Sequence, residues 1–336
     1  MGFPLRLAER RPKAPEAALL GLLRGVPLLP DLEKSWPEIR ALAEAHRVGP
    51  ILHETAPELP ERARRDLDRI RSGALAVRGW QQAALLRLSG ALEGAGALVI
   101  RGAAHAEDLY TAPELRPLSE LEVLIAPSRT FAALERLSRR GYRLEERPAK
   151  GWLVLGLRDP RDPRVQIRLR RGFPAPASAP PAPLAGGAPE PEIRSALPVG
   201  ALCLRAQGAR LHPDDALLVQ ALALDEAGMR VPLIEVVDLA HLFARCDPAV
   251  AISRARQARL LPQIGAALLL LERCAAAAWR FGGAAVDPAR IPRLDLDQDV
   301  ERAVDQYDLS AELDRPGALV QFARALGLVA APASVE

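Results

Sequence analysis

The apolar residues of this chain change their period twice, and that change restricts the fold more than any single motif does. From Ala17 to about Gly96 they recur at helical spacing: "WPEIRALAEAHRVGPILHETA" places Trp36, Ile39, Leu42, Ala43 and Val48 on one side of a helix. The glycines of "EGAG" then end the helical pattern. Short apolar runs follow, "ALVIRG", "SELEVLIAP", "GWLVLGLRD" and "RVQIRLRRGF", bounded by glycine and proline, as strands are. From "HPDDALLVQALALDEAGM" through "PLIEVVDLAHLFARC" to roughly Phe281 the helical period returns. Such a chain reads as α+β: a small mixed β-sheet flanked by N-terminal and C-terminal α-helical regions.

This reading sets boundaries. Residues 1–96 form an N-terminal helical region, 97–173 an α/β core, 174–192 a Pro/Ala-rich flexible insertion and 193–336 an all-α C-terminal region. The expected strands are Ala97–Arg101, Glu120–Ala126, Trp152–Leu157 and Val165–Arg170, the last two joined as a hairpin by "PRDP". Between the first two, "AAHAEDLY" has room for one or two helical turns. "SRTFAALERLSRRGY" is an amphipathic helix with Ser128 as its N-cap and Gly141 at its C-terminal end.

Charge narrows the class of partner. Lys and Arg total 45 against 42 for Asp and Glu, so the net charge is only +3. No polybasic field is built from that, and nucleic acid is not an expected partner. The most apolar segment, "LLPQIGAALLLLERCAAAAW", meets Glu272 and Arg273 before it reaches membrane-spanning length, so no membrane is expected. The first thirty residues carry charge on both sides of a short apolar run and show no secretion signal. Cys203, Cys246 and Cys274 fit neither a zinc spacing nor a disulfide framework, which favours a reducing compartment. Abundant Ala, Arg and Pro with few aromatics fits a GC-rich genome, and the expected setting is a bacterial cytoplasm.

The order of "LVIRGAAHAEDLYTAPELRPLSELEVLIAPSRTFAALERLSRRGYR" resembles the bacterial uncharacterised nucleotidyltransferase family, whose pattern is a Lys-Gly-Ala strand end, a Tyr and then Arg-Pro-Met-Ser-Asp-x-Asp-x-Leu-Val. "WPEIRALAEAHRVGPIL" is similar to that family's N-terminal region and "LHPDDALLVQALALDEAG" with "PLIEVVDLAHLF" to its C-terminal helices, so the resemblance runs from Ala17 to Phe281. It implies the fold of the DNA polymerase beta-like nucleotidyltransferases. There, two acids two apart on one strand face the same way and hold Mg²⁺ or Mn²⁺ against the phosphates of a nucleoside triphosphate, and a neighbouring strand adds a third acid.

By this resemblance the paired acids are Glu120 and Glu122, behind Arg116, Pro117 and Ser119, and they are the catalytic and metal-ligand candidates. Each is a glutamate where the family has aspartate, which moves the carboxylate by about 1.5 Å, while Mg²⁺ wants oxygens at about 2.0–2.1 Å in tight octahedral geometry. The third-acid position falls on Gln166, an amide that is no base, and Arg168 follows two residues later where the family has histidine. The nucleotide-binding candidates are Arg101, in place of a lysine, Gly102, Ala103, Arg116 and Ser119. The competing reading is a structural cluster in which Arg101 and Arg116 pair with Glu120 and Glu122.

Other candidates are ordinary by pattern. His105 could face a phosphate but reads first as a packing residue; His46, His53, His212 and His241 have no ligand spacing. Asp295, Asp297 and Asp299 lack the glycine and final acid of a calcium loop. Asp238 matches a family aspartate, and a structural role on its helix is expected of it. Three functions follow: a nucleotidyltransferase-fold pseudoenzyme that binds a nucleotide or a protein partner; an active metal-dependent transferase modifying a protein, small molecule or RNA; and a helical scaffold without nucleotide.

Overall fold

The computed structural model describes residues 14–26, 32–56, 58–145, 152–173, 197, 199–227, 231–275, 278, 280–292 and 294. The expected insertion at 174–192 and Asp295, Asp297 and Asp299 lie outside the described residues.

Four helices come first: α1 (Ala14–Leu23), α2 (Leu32–Ala45), α3 (Gly49–Thr55) and the long α4 (Glu61–Ala91). Trp36, Ile39, Leu42, Ala43 and Val48 are all buried, as their spacing requires. Then come β1 (Leu98–Ile100), α5 (Gly102–Asp108), β2 (Leu121–Leu124), α6 (Thr130–Arg139), β3 (Arg143–Leu144), β4 (Val154–Arg158) and β5 (Gln166–Arg170). The sheet order is β1-β2-β5-β4-β3. β2 and β5 run parallel while the other neighbours are antiparallel, and β4–β5 is the expected hairpin. This is the α+β architecture with a small mixed sheet, of nucleotidyltransferase type. Glu120 lies one residue ahead of β2, shorter than the expected strand, and Glu122 lies within it.

The strand period of two gives the sheet unlike faces. Val99, Val123, Leu169 and Leu155 follow one another across the strands, as do Leu121, Ile167 and Leu157. This face is apolar, and it packs on the second half of α4 and on Ala133 and Leu137 of α6. The opposite face carries the row Ile100, Glu122, Arg168, Gly156 and the row Leu98, Leu124, Arg170, Val154.

Ser128 does not cap α6: Pro127–Arg129 form a 3₁₀ turn and the helix starts from Arg129 without a side-chain cap. Pro127 sets up this turn, which delays the α-helix past the serine. Gly141 does end α6, at φ +86°.

The C-terminal helices are α7 (Val199–Arg205), α8 (Pro213–Glu226), α9 (Leu233–Arg245), α10 (Pro248–Gln257) and α11 (Leu261–Ala275). A hairpin of β6 (Arg280–Phe281) and β7 (Ala284–Ala285) follows, so this region is not all-α as expected. Gly282 and Gly283, at φ +57° and +88°, supply the two left-handed residues of a tight hairpin turn. N-terminal and C-terminal helices share one core: Leu19, Leu23, Trp36 and Leu67 cluster with Leu222, Val237, Leu271 and Phe281, and with Leu98, Ile100 and Leu124 of the sheet. His46, fully buried, accepts from the Leu233 N–H through Nδ1 at 3.0 Å and from the Ile234 N–H through its carbonyl at 3.2 Å. These bonds satisfy the free amides at the start of α9 and fix its entry.

Candidate functional site

The charged face of the sheet meets α9. β1 delivers Arg101 at φ +53°, ψ −135°, a backbone conformation unfavourable for any residue with a Cβ. From there its guanidinium reaches between strand and helix. Arg101 Nη1 donates to Glu122 Oε2 at 2.9 Å and Nη2 to Glu235 Oε2 at 3.2 Å. The other Glu122 oxygen, Oε1, accepts from Arg170 Nε at 2.6 Å. Arg170 in turn grips Glu226 of α8 with Nη1 and Nη2 at 3.0 and 3.1 Å.

Arg116 continues the chain of charges. Nη2 donates to Glu235 Oε1 at 2.7 Å, and Nε and Nη2 donate to Asp238 Oδ2 at 3.0 and 2.6 Å. Nη1 meets the Pro117 carbonyl at 3.1 Å. The remaining Asp238 oxygen accepts from the Tyr110 hydroxyl at 2.6 Å, and Gln220 Nε2 donates to Glu235 at 2.9 Å. Carboxylates and guanidiniums thus alternate from Glu226 through Arg170, Glu122, Arg101, Glu235 and Arg116 to Asp238. A Cβ on Gly102 would lie 3.0 Å from Arg116 Nη1 and 3.2 Å from Leu118, so the glycine clears the path of this arginine.

The lattice is buried along most of its length, Arg116 being 2% and Asp238 0% exposed, and reaches solvent at Glu226. Burial alone would raise the carboxyl pKa values, but the guanidiniums outweigh it. Arg101 and Arg170 hold Glu122 below its ordinary value, Arg116 and Arg101 hold Glu235 below its own, and Arg116 with His105 lowers Asp238. Burial and the Asp238 charge together push the Tyr110 hydroxyl well above the usual tyrosine value.

The sequence-derived candidates separate into groups. Arg101, Glu122 and Arg116 come together, linked by Glu235. Glu120 stands apart, its Oε2 accepting from Arg168 Nε at 2.9 Å in a solvent-accessible pair. Neither Arg101 nor Arg116 pairs with Glu120, in contrast to the simple four-residue cluster considered from sequence. Gln166 is exposed at the start of β5, on the same face as Arg168, and Ser119 is exposed beside Glu120. Ala103 is fully buried in the core of the apolar sheet face. Asp238 bonds an arginine, the structural role anticipated for it.

The donors suit a divalent metal poorly. Both Glu122 oxygens already accept from guanidiniums, Arg168 stands opposite Glu122 in register, and Gln166 adds no charge. Among the described residues no group of three or more His, Cys, Asp or Glu side chains is placed to hold a metal ion. Sequence reading missed Glu235, Arg170, Glu226, Tyr110 and Gln220. A usable signal was present: Glu235 and Asp238, three apart, sit in the otherwise apolar "PLIEVVDLAHLF", and acids on a buried helix face require partners.

One comparison bears on this site. Residues 33–173 match a family described as an uncharacterised nucleotidyltransferase. The matched segment starts within α2, contains the whole five-stranded sheet and ends just past β5. It includes Arg101, Arg116, Glu120, Glu122 and Gln166 but stops before α8 and α9, which bring Glu226, Glu235 and Asp238. No curated protein and no solved structure matches the chain. No helix among the described residues is long and apolar enough to cross a membrane.

Proposed function

We propose that this chain is a nucleotidyltransferase-fold protein whose metal site has become a structural lattice of arginines and carboxylates, and that it acts by binding a nucleotide or a protein partner without nucleotidyl transfer. The observation carrying this reading is the capture of both Glu122 oxygens, by Arg101 at 2.9 Å and Arg170 at 2.6 Å. A metal-dependent site needs acids free to neutralise a cation. Here two fixed monovalent cations already neutralise the acid, and moving them would leave buried charge unpaired. The free cysteines among the described residues support a reducing, cytoplasmic setting, and the composition supports a bacterial one.

On this reading any nucleoside triphosphate binds weakly, through guanidinium–phosphate contacts that salt weakens and EDTA leaves alone. Calorimetric titration of ATP with and without Mg²⁺, with mass spectrometry for nucleotidyl adducts, tests it. The expected result is binding indifferent to Mg²⁺ and no adduct. Tight binding that requires Mg²⁺, together with an adduct on a protein, small molecule or RNA, overturns it in favour of an active transferase that uses Glu120 and Glu122.

A further inference from the structure

A second feature lies on the outer edge of β1. The segment from Gln207 to Leu211 lies along that edge, with the Val99 N–H donating to the Ala209 carbonyl at 3.0 Å. Between it, α5 and the C-terminal end of α9 opens a cleft of about 240 Å³. None of Ser119, Glu120, Glu122 and Gln166 lines it. Its walls are apolar, with Ile100, Leu109, Leu211 and Leu242, while Arg101, His105, Arg210 and Arg245 stand against one carboxylate, Asp108.

These cations are not equally committed. Arg101 is taken by Glu122 and Glu235, and Arg210 Nε lies 3.2 Å from Asp108. Arg245 meets the Asp108 and Leu109 carbonyls, with no carboxylate within ion-pair distance among the described residues. His105 is 4% exposed. Its Nδ1 sits 3.2 Å from Asp238 Oδ2 without hydrogen-bond alignment, so the imidazole lines the cleft with a buried anion beside it and a ring nitrogen that has no hydrogen-bond partner. A buried imidazole backed by a carboxylate, two rim guanidiniums and an apolar wall form a concave site with convergent polar groups.

We infer that this cleft binds a small organic oxyanion, a phosphate or carboxylate group carried on a compact apolar body, with Arg245, Arg210 and His105 at the anion and the leucines around the body. A guanidinium fork suits either oxyanion. The volume falls below the roughly 300–1,000 Å³ typical of drug-sized ligands, which restricts the occupant to something smaller. This site is independent of the metal question, since it uses neither paired acid of β2.

The test is calorimetric titration of the full chain with phenyl phosphate, phenylacetate and inorganic phosphate. Either aromatic anion is expected to saturate one site and to bind more tightly than inorganic phosphate, and the better of the two identifies the head group. Arg245→Ala, Arg210→Ala and His105→Gln are each expected to weaken it about tenfold. Arg139→Ala, which removes an exposed charge on α6, should leave it unchanged. Failure of all three probes to saturate overturns the proposal, as does equal weakening by Arg139→Ala and Arg245→Ala, which would mean diffuse attraction only. Arg245 is exposed, so its variant remains informative if the buried His105 variant fails to fold.

Discussion

Glu120 and Glu122 differ by one turn of the strand pleat in sequence but by their whole environment in space. Glu120 shares a wet pair with Arg168, and exposed pairs contribute about 0.2–1 kcal/mol. Glu122 is 3% exposed and holds two guanidiniums. Replacing Glu120 with Gln should change unfolding free energy by less than about 1 kcal/mol, whereas Glu122→Gln and Arg116→Met should each cost about 3–5 kcal/mol by leaving buried charge uncompensated. Urea unfolding of the three variants checks this contrast. Equal small effects would mean that the lattice is not a structural element. Such a lattice is weak support for net stability in itself, since burying its members is costly, so the prediction concerns breaking it rather than possessing it.

Elements position that lattice through close approach. The Gly282 carbonyl, in the β6–β7 turn, accepts from His241 Nε2 at 3.2 Å, and the Gly282 N–H donates to the Leu23 carbonyl at 2.8 Å. A Cβ there would lie 2.5 Å from Val237 Cγ1, and φ is +57°. Val237 is fully buried on α9, between Glu235 and Asp238. Gly282→Ala should therefore destabilise by about 1–3 kcal/mol through overpacking and strain in the left-handed turn, while Gly283→Ala, which meets nothing within 4 Å, should cost only the turn strain. Comparing the two by thermal unfolding isolates the packing contribution. At the same scale, Asp247 caps α10 by accepting from the Ala249 N–H at 2.9 Å, and Asp247→Ala should cost about 1 kcal/mol in the same assay.

For the whole molecule, the family-matched segment shares its core with helices that lie outside it. Leu98, Ile100, Leu124 and Phe173 are buried with residues of α8, α9 and α11, and Arg101, Arg116 and Arg170 have partners there. A fragment of residues 33–173 would expose that core, leave Arg116 without its carboxylates and reduce Arg101 and Arg170 to the shared Glu122, so it should lack the cooperative thermal transition expected of the full chain. The lattice also sets an acid limit. Glu122, Glu235 and Asp238 have folded pKa values below the ordinary 4.5 and 3.8, so below those values the unfolded chain binds more protons than the folded one. Their stabilisation is complete above about pH 5 and is lost as pH falls toward the depressed folded values. Urea midpoints measured from pH 7 to pH 3 should fall chiefly below pH 5, and Arg116→Met should flatten that fall.

Four strands of the five-stranded sheet and most helix spans were legible in the sequence, because the periods of two and 3.6 are local properties that side-chain burial then enforces, whereas the two-residue β3 is too short to show a period. So was the burial of the Trp36 stripe, which follows from spacing alone. The Ser128 cap was misread because Pro127 imposes a 3₁₀ turn first, and the β6–β7 hairpin was passed over although its Gly-Gly pair was visible. What tertiary structure alone decided is the identity of each charge's partner. Glu235 lies 134 residues from Arg101, and Glu226 lies 56 from Arg170. Charge has no period along a chain, and an arginine reaches whichever acid the packing of apolar faces brings to it. The helices that dock for the sake of their leucines are the ones that carry these acids to the sheet.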